Sequence, residues 1–381
     1  MIPFNKPYFT GDETCYLDQA IQSGHISGNG DFTKKCQRYF EDRYGLNKCL
    51  LTTSATSALE MAALLCDIKR GDEVIMPSFT FVSTANAFAL RGAKIVFADS
   101  RADHPGIDED LLEPLITERT KVIVVVHYAG VACDMDKIMR LAKRYGILVV
   151  EDAAHAVNSF FKGSNGVERA LGSIGHLGVY SFHETKNITC GEGGMLIVND
   201  HRFYQRAEVI WEKGTNRSAF FRGEVDKYNW IDLGSSFLLS EINAAYLWAQ
   251  IENIDKIQEQ RLRHWNAYEN ALENWIADEG IQMPVIPGYA TNNAHMFYLV
   301  CQDVVQRTEL LKSLRKKNVE AVFHYQSLHK SPYYRKTEIS YLLPQADRYS
   351  DCLFRLPMYF ELAPQRVIEE LLEQRVEPRF I

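Results

Sequence analysis

The sequence of 381 residues predicts an α/β protein with a large domain over residues 1–250 and a smaller α+β domain over residues 251–381. Three observations lead to this prediction. Short β-branched runs alternate with helical stretches through the middle of the chain. Several of these runs are apolar at consecutive positions, as strands buried on both faces are. From about Ser240 the apolar residues instead recur at three- and four-residue steps, which indicates a long helical region before the smaller domain.

The large domain is predicted to contain strands at Glu73–Met76, Ala93–Ala98, Lys121–His127, Ile147–Glu151, Gly178–Phe182 and Met195–Val198. Helices are predicted after Thr56 and over Asp136–Arg144, where Gly146 follows as a stop. This alternation implies a mostly parallel sheet. Ligands of such sheets bind beyond the carboxyl ends of the strands, so residues there are the first functional candidates.

The helical region after Ser240 is predicted to break near Asn253–Asp255 and to lead into the Pro/Gly-containing linker MPVIPGYATNN. The smaller domain is then predicted to contain strands Phe297–Cys301 and Val319–Tyr325 and helices Thr308–Lys317 and Pro364–Arg375.

Composition limits the classes of function. Hydrophobic residues make up 46% of the chain, which is enough for a core and excludes intrinsic disorder as the main state. The net charge of −7 and the sequence pI of about 5.9 argue against a nucleic-acid partner. No segment has the ~18 consecutive apolar residues of a membrane span, and the N-terminus lacks the apolar region of a secretion signal. We therefore expect a cytoplasmic protein without a membrane partner, with reduced cysteines and no metal, since no cysteine pair has zinc-ribbon spacing.

Asp152 is the first candidate for chemistry. It follows ILVVE, at the carboxyl end of a predicted buried strand, and the segment AAHA comes after it. An acid at this position either contacts a ligand or caps a helix. His155, three residues on, either belongs to the same site or is a buried histidine bonded to backbone.

Lys186 is the second candidate. It follows the strand that ends at Ser181-Phe182-His183 and precedes a glycine-rich turn at Gly191, Gly193 and Gly194. A long cationic side chain between two buried strands is costly unless it is used, although most lysines are solvated. A desolvated lysine has a lowered pKa and becomes a nucleophile toward carbonyl groups.

Two further segments are suited to bind the parts of a flat phosphorylated ligand. TTSATSALEMAALL opens into a helix, where free amide N–H groups either bind phosphate or form an ordinary capped start. Phe79 or Phe81, after the strand VIM, is suited either to stack on a ring or to pack in the core. The four signals together supply what pyridoxal phosphate requires: a phosphate site, a stacking ring, an acid for the pyridine nitrogen and a lysine for the aldehyde.

The motifs GDEVIMPSFTFVSTANA, VVEDAAHA, YSFHETKN and GEGG resemble those of the DegT/DnrJ/EryC1/StrS sugar aminotransferases. The resemblance covers almost the whole chain, from MIPFNKP to Arg355–Pro357, and implies the pyridoxal-phosphate-dependent fold type I of aspartate aminotransferase. It implies that Lys186 binds the cofactor aldehyde, Asp152 pairs with the ring nitrogen, His155 approaches the ring hydroxyl, Phe81 stacks on the ring, and Ala55, Thr56 and Ser181 hold the phosphate.

The resemblance also implies a homodimer with shared active sites. Many members place an Asn of the partner subunit on the phosphate, and the matching run GSSFLLSEINAA has Ser236 at that position. For the substrate, His329, in FHYQSLHKSPYY, matches a family histidine near the sugar. Lys227, in GEVDKYNW, is a candidate to contact the pyrophosphate from the partner subunit. A buried hydrogen-bonded histidine and a solvated lysine are the alternatives for these two residues.

Lys186 implies the transaminase branch of the family, because members with His at this position are dehydratases. VVHYAGVACDMD, AAYLWAQIE and AVFHYQSLH resemble members that use L-glutamate to aminate C4 of dTDP-4-keto-6-deoxyglucose, giving dTDP-4-amino-4,6-dideoxygalactose. The gluco epimer (viosamine), amination at C3 and a non-catalytic regulator that binds pyridoxal phosphate stay open as alternatives. A nucleotide-dependent reductase lacks its G-x-G-x-x-G motif here, and a zinc hydrolase at His183-Glu184 lacks its second histidine, since residue 187 is Asn.

Overall fold

In the computed structural model, which describes residues 1–337 and 339–373, a seven-stranded sheet carries the strands predicted for the large domain. In chain order, strands β1 to β12 of the described residues are Cys49–Thr52, Glu73–Pro77, Lys94–Ala98, Thr120–Val126, Leu148–Asp152, Phe160–Lys162, Glu168–Ala170, Leu177–Ser181, Gly194–Val198, Tyr298–Val300, Val322–Phe323 and Leu353–Arg355. Helices α1 to α12 are Glu13–Gln22, Asp31–Tyr44, Ala55–Leu65, Val82–Ala89, Met135–Tyr145, Tyr204–Trp211, Arg217–Phe221, Glu241–Glu252, Ile254–Glu279, Val304–Lys316, Pro344–Cys352 and Pro364–Leu372.

The central sheet has the order β1-β9-β8-β5-β4-β2-β3, and β3, β2, β4, β5 and β8 pair in parallel. The mostly parallel sheet predicted from the sequence is therefore confirmed. β9 runs antiparallel to both β8 and β1, so its first residue, Gly194, lies at the edge where its neighbours end. β1 was not predicted, because CLLT is only four residues long and leads at once into the start of α3.

The smaller sheet, β10-β12-β11, is antiparallel. The break predicted near Asn253–Asp255 is confirmed, since α8 ends at Glu252 and α9 begins at Ile254. The predicted strand Val319–Tyr325 was too long: β11 has two residues, because Val319 instead bridges to Ile2 and the chain turns after Phe323. The predicted last helix ends earlier, at Leu372, and Gln374 and Arg375 lie outside the described residues.

The domain boundary between residues 250 and 251 stays a prediction. It falls inside α8. The first residues of the chain also pack on the C-terminal part, because Ile2 N–H donates to Asn318 O at 2.7 Å and Glu320 N–H donates to Ile2 O at 3.0 Å. No helix within the described ranges is long and apolar enough to cross a membrane.

Glu151 fastens the carboxyl end of β5 to its surroundings. Its buried carboxylate accepts the N–H groups of Gly172 at 2.8 Å, Ile174 at 2.6 Å and Gly175 at 2.5 Å. His127, just past β4, contacts the same carboxylate through Nε2 at 2.9 Å. Because successive strand residues point to opposite faces, this anchor leaves the next residue, Asp152, directed to the other face of the sheet.

We expect Glu151→Gln to destabilise the protein by about 2–3 kcal/mol, because an NH₂ group would then face backbone N–H donors that have no other acceptor. The same substitution at the exposed residue Glu259 on α9 should change stability by less than about 0.5 kcal/mol. Denaturant unfolding of both variants at 25 °C, followed by tryptophan fluorescence, measures the difference. Equal midpoints for the two variants would contradict the anchoring role.

Candidate active site

Neighbouring strand ends bring the predicted cofactor residues to one face of the central sheet. Ser181 of β8 lies directly opposite Gly194 of β9, and Thr52 of β1 lies opposite the same glycine. Asp152 ends β5, one strand further along. By the alternation of strand residues all four lie on the same face, which is the face that packs against α3.

The N-terminus of α3 forms the predicted phosphate site. Ser54 caps the helix, since its Oγ accepts the Ser57 N–H at 3.1 Å. Ala55 and Thr56 occupy the first turn, where a helix offers no internal acceptor for the N–H groups. A Cβ at Gly194 would overlap the Ala55 nitrogen and Ser54, so only glycine lets β9 approach the helix this closely.

Asp152 is buried and held in place by two donors. Thr84 Oγ1 of α4 donates to its Oδ2 at 2.7 Å, and the Ala154 N–H donates to its Oδ1 at 3.2 Å. Burial raises the pKa of Asp152, while these hydrogen bonds and the nearby Lys186 ammonium act in the opposite direction and favour the ionised form. The carboxylate therefore has two fixed donors and lies close enough to Lys186 to interact with its charge.

Lys186 lies in the turn after β8, where its N–H donates to His183 O at 2.9 Å. Its side chain lines a small cavity together with His155, Ser181 and His295. Within residues 1–337 and 339–373, Lys186 Nζ makes no hydrogen bond and no ion pair. Burial lowers the pKa of Lys186 to about 8, despite the opposing effect of Asp152. The amine is therefore partly neutral, and hence nucleophilic, near neutral pH.

His155 forms one wall of this cavity within a group of aromatic side chains. Its ring stacks on His295 with ring centroids 4.4 Å apart, and Tyr325 Oη lies 3.3 Å from its Nε2. Tyr128 lies edge-on at 6.0 Å, and the Tyr128 hydroxyl contacts His324 Nδ1 at 2.7 Å. Burial is the main cause that lowers the pKa of His155 well below its usual value, so the imidazole is neutral. A neutral ring can exchange hydrogen bonds with a ligand without adding charge.

Phe81 precedes α4 as its N-cap residue and is 53% exposed, with its ring centroid 6.0 Å from that of Tyr325. Phe79, the other aromatic candidate, is buried among Tyr128, Tyr325 and Tyr349. Phe81 thus has an open face, whereas Phe79 packs in the core. Stacking of Phe81 on a ring stays a prediction.

The other three predicted site residues do not meet this group within one chain. Lys227 and Ser236 are exposed. His329 is buried against other residues: its Nδ1 lies 2.7 Å from Ser78 Oγ, and its Nε2 lies 3.5 Å from Asp347 Oδ1. The structure thus gives His329 the contacts of a packed, hydrogen-bonded histidine, and its role toward the sugar stays a prediction.

Sequence reasoning missed several residues that the fold brings to the site: Thr84, Asn187, Tyr128, His295, His324, Tyr325 and Arg355. Thr84, Asn187 and Tyr128 lie within quoted motifs, but nothing in a linear pattern marks which polar residue turns inward. His295, His324, Tyr325 and Arg355 come from the C-terminal part of the chain, more than 100 residues beyond Lys186. Only contacts such as that of His295 Nδ1 with Asn187 Oδ1 at 2.8 Å and that of Tyr325 Oη with His155 Nε2 at 3.3 Å show that they belong here.

Residues 7–372 match the sequence pattern described as the DegT/DnrJ/EryC1/StrS aminotransferase family. The chain belongs to this family. The family and the α/β fold predicted from the sequence are thereby confirmed.

Solved structures of DegT/DnrJ/EryC1/StrS proteins and other aminotransferases are similar over nearly the whole chain. Spr1654 of Streptococcus pneumoniae, a sugar aminotransferase candidate solved in its PMP form, is 25% identical, with 97% of this chain and 98% of that chain covered and a TM-score of 0.88. The aminotransferase TlmJ of Streptoalloteichus hindustanus is 27% identical, covering 97% and 98% of the two chains, with a TM-score of 0.87. DesV of S. venezuelae is 26% identical, covering 99% of each chain, with a TM-score of 0.87.

The residues of this family member fit pyridoxal phosphate. A buried amine without a partner in the described chain suits an aldehyde, a buried carboxylate with two fixed donors suits a protonated ring nitrogen, and the first turn of α3 suits a phosphate. The close approach enforced at Gly194 keeps side-chain atoms out of the phosphate site. Lys186, Asp152, Ala55, Thr56 and Ser181 are the residues that would hold the cofactor. Family membership and the PMP form of the pneumococcal relative also support this cofactor.

We expect the rate of pyridoxal phosphate addition to the cofactor-free protein to rise about fivefold between pH 7 and pH 8 and to level off above about pH 9. The neutral fraction of Lys186 governs this rate and follows its pKa of about 8. The visible absorbance of the bound cofactor, read in stopped flow, measures it, and Lys186→Ala should show no such signal. A rate that rises about tenfold per pH unit up to pH 10, as for an ordinary lysine, would contradict the lowered pKa.

Proposed function

We propose that this protein is a pyridoxal-phosphate-dependent sugar aminotransferase that transfers the amino group of L-glutamate to C4 of dTDP-4-keto-6-deoxyglucose, giving dTDP-4-amino-4,6-dideoxygalactose. One observation carries the transamination chemistry. The buried Lys186 amine lies in one site with the Asp152 carboxylate and beside the strand end that meets the N-terminus of α3.

Lys186 has two roles in the proposed reaction, one toward the cofactor aldehyde and one as a base. When bound, pyridoxal phosphate supplies an aldehyde that combines with amines and a ring that withdraws electrons from the reacting carbon. Lys186 holds that aldehyde between turnovers. Burial lowers the pKa of Lys186 to about 8 in the cofactor-free chain, so its released amine could act as a base. Lys186 Nζ would take the proton from the donor Cα and deliver it to the cofactor carbon in the same half-reaction, and it would move a proton in the opposite direction during amination of the ketone.

Asp152 keeps a proton on the ring nitrogen. Its two donors, Thr84 Oγ1 and the Ala154 N–H, bond to its two different oxygens and keep the carboxylate oriented. The neutral His155, held by Tyr325 and by stacking on His295, is suited to hydrogen-bond a ring hydroxyl. Asp152 and His155 would thus control the protonation of the ring nitrogen and the hydrogen bonding of the ring hydroxyl. Orientation and electrostatics of this kind are what a protein contributes to a cofactor reaction.

The proposed substrate is based on resemblance to other sugar aminotransferases. The pneumococcal relative is a sugar aminotransferase candidate, and the stretches VVHYAGVACDMD, AAYLWAQIE and AVFHYQSLH favour C4 amination of a dTDP-linked ketosugar. Formation of the gluco epimer and amination at C3 are alternatives within the same chemistry. A regulator without catalytic activity is disfavoured, since the amine, the acid and the phosphate site are all retained.

We also propose a cytoplasmic homodimer with shared active sites. The segment between α7 and α8 exposes large apolar side chains, with Trp230 77% and Leu233 53% exposed, and Phe221 at the end of α7 is 69% exposed. Several large apolar side chains exposed within one segment are more typical of an interface than of a solvated loop. Lys227 and Ser236 lie exposed in the same segment, where a partner's cofactor phosphate and substrate pyrophosphate would reach them.

We expect Asp152→Asn to lower the rate of the L-glutamate half-reaction roughly 100- to 1000-fold without unfolding the protein, because an amide cannot hold the ring nitrogen proton electrostatically. Thr84→Val, which removes one donor to the same carboxylate, should lower the rate only about tenfold. Single-turnover absorbance changes of the bound cofactor measure both rates. An unchanged rate in Asp152→Asn would remove Asp152 from this role.

Product analysis tests the proposed substrate. The holoenzyme is incubated with L-glutamate and dTDP-4-keto-6-deoxyglucose, and the ring proton couplings of the aminosugar are read by NMR. We expect a small H3–H4 coupling, which reports an axial C4 amine and the galacto product. A large coupling would identify the gluco epimer, and no conversion with a normal L-glutamate half-reaction would overturn the proposed sugar substrate.

A further inference from the structure

His155 and His295 form a stacked pair whose main-chain segments are joined by one buried asparagine. Asn293 Nδ2 donates to His155 O at 2.7 Å and to Val157 O at 2.9 Å. Its Oδ1 accepts the His295 N–H at 3.0 Å. The two imidazole rings lie with their centroids 4.4 Å apart and their planes 23° from parallel. Because one side chain holds both segments, the spacing of the stack is fixed.

Asn187, the residue after Lys186, determines the orientation and the tautomer of the His295 ring. Asn187 Nδ2 donates to Asn293 O at 2.9 Å, and a carbonyl oxygen can only accept, so the amide has one orientation. Its Oδ1 lies 2.8 Å from His295 Nδ1 and therefore accepts a hydrogen bond from an Nδ1–H group. Burial is the main cause that lowers the pKa of His295 well below its usual value, so the ring is neutral. Its single proton is therefore on Nδ1.

A backbone group fixes the tautomer of His155 in the opposite sense. The Ala129 N–H donates to His155 Nδ1 at 3.3 Å, so this nitrogen carries no proton. The loop that carries Ala129 is held close to the stacked pair, since a Cβ at Gly130 would overlap the Asn293 side chain. The neutral His155 ring therefore has its proton on Nε2, the nitrogen that lies 3.3 Å from Tyr325 Oη. Toward a ligand at this nitrogen, His155 is a hydrogen-bond donor.

We propose that Asn187 and His295 are positioning residues of the cofactor site, which hold the His155 ring so that its Nε2–H donates to the ring hydroxyl oxygen of bound pyridoxal phosphate. The inference rests on the proposed function, which supplies the cofactor. Hydrogen bonds in a site keep their geometry only where neighbouring groups lock the side chains that make them. Asn187 provides this lock beside the reacting amine, because it follows Lys186 in the chain and bonds to the ring that stacks on His155.

The two tautomers can be measured in the cofactor-free protein. In protein with isotope-labelled histidine, proton–nitrogen correlation spectra distinguish a protonated ring nitrogen from a bare one, and His155→Phe and His295→Phe identify the signals. We expect a proton on Nδ1 of His295 and on Nε2 of His155. Asn187→Leu should lose the His295 Nδ1–H signal, because its acceptor is gone. A His295 ring that carries its proton on Nε2 in the unsubstituted protein would overturn the inference.

The bound cofactor reports on the donor at its ring oxygen. The absorbance of the Lys186-bound cofactor changes with pH, and a donor that stabilises the ionised ring oxygen lowers the midpoint of this change. We expect the midpoint to rise by about one pH unit in His155→Phe and by about half a unit in Asn187→Leu and His295→Ala. His295→Phe, which keeps a stacking ring but has no Nδ1–H, should show a smaller rise than His295→Ala.

Asn253→Leu is the matched control. Asn253, at the junction of α8 and α9, is half-buried like Asn187, and its Nδ2 likewise donates to a backbone carbonyl, that of Ala249 at 3.0 Å. This substitution should leave the midpoint unchanged, even where it lowers the thermal unfolding temperature as much as Asn187→Leu does. An equal rise in both variants, or no rise in Asn187→Leu, would overturn the positioning role.

These measurements separate the inference from the proposed function, because they need the cofactor but neither L-glutamate nor a sugar. Failure of the unsubstituted protein to form an absorbing complex with pyridoxal phosphate would overturn the proposed function. A complex whose midpoint does not respond to substitution of Asn187 or His295 would overturn the inference alone. Asn187→Ala, which loses the same acceptor with a smaller side chain, replaces Asn187→Leu if thermal unfolding shows that the leucine variant is not folded.

Discussion

The site depends on two adjacent carboxylates that β5 carries into the protein interior in opposite directions. Glu151 is satisfied entirely by the chain, through three backbone N–H groups and the His127 imidazole. Asp152 is satisfied only by Thr84 and the Ala154 N–H and retains capacity to accept another donor. The strand end is therefore fixed by one acid so that the other can be presented to a ligand. A ligand that donates a hydrogen bond to Asp152 would use this remaining capacity.

The aromatic side chains around His155 are imidazoles and phenols that burial keeps uncharged, so they do not neutralise the two nearby cations, Lys186 and Arg355. Burial lowers the pKa of Lys186 and Arg355 alike, but only the lysine can lose its proton near neutral pH. The amine is thus available as a nucleophile and base, while the guanidinium remains a cation that requires an anion. The neutral His155 side chain lies near both cations and contacts the neutral Tyr325 hydroxyl, so neither group adds a charge that would compete with a ligand.

The N-terminal segment holds the two parts of the site together. Ile2 bridges to Val319 of the small unit, Phe4 covers the Arg355 guanidinium, and the Asn5 side chain donates to Glu184 O at 3.3 Å in the turn that carries Lys186. Residues at the start of the chain thus contact both the smaller sheet and the cofactor turn.

The sequence by itself determined the parallel sheet, the strand ends and the residues that stand at them. Buried parallel strands demand continuous apolar runs, so a polar residue just past such a run, such as Asp152 or Lys186, is conspicuous in a linear pattern. The motifs around these residues also determined the family and the cofactor. Only the tertiary structure decided that His295, Tyr325 and Arg355 lie near His155 and Lys186 and that His329 packs beside Ser78. The physical reason is that these residues come from a part of the chain more than 100 residues beyond Lys186, and contacts between segments so far apart depend on tertiary packing, which the spacing of residues along the chain does not encode.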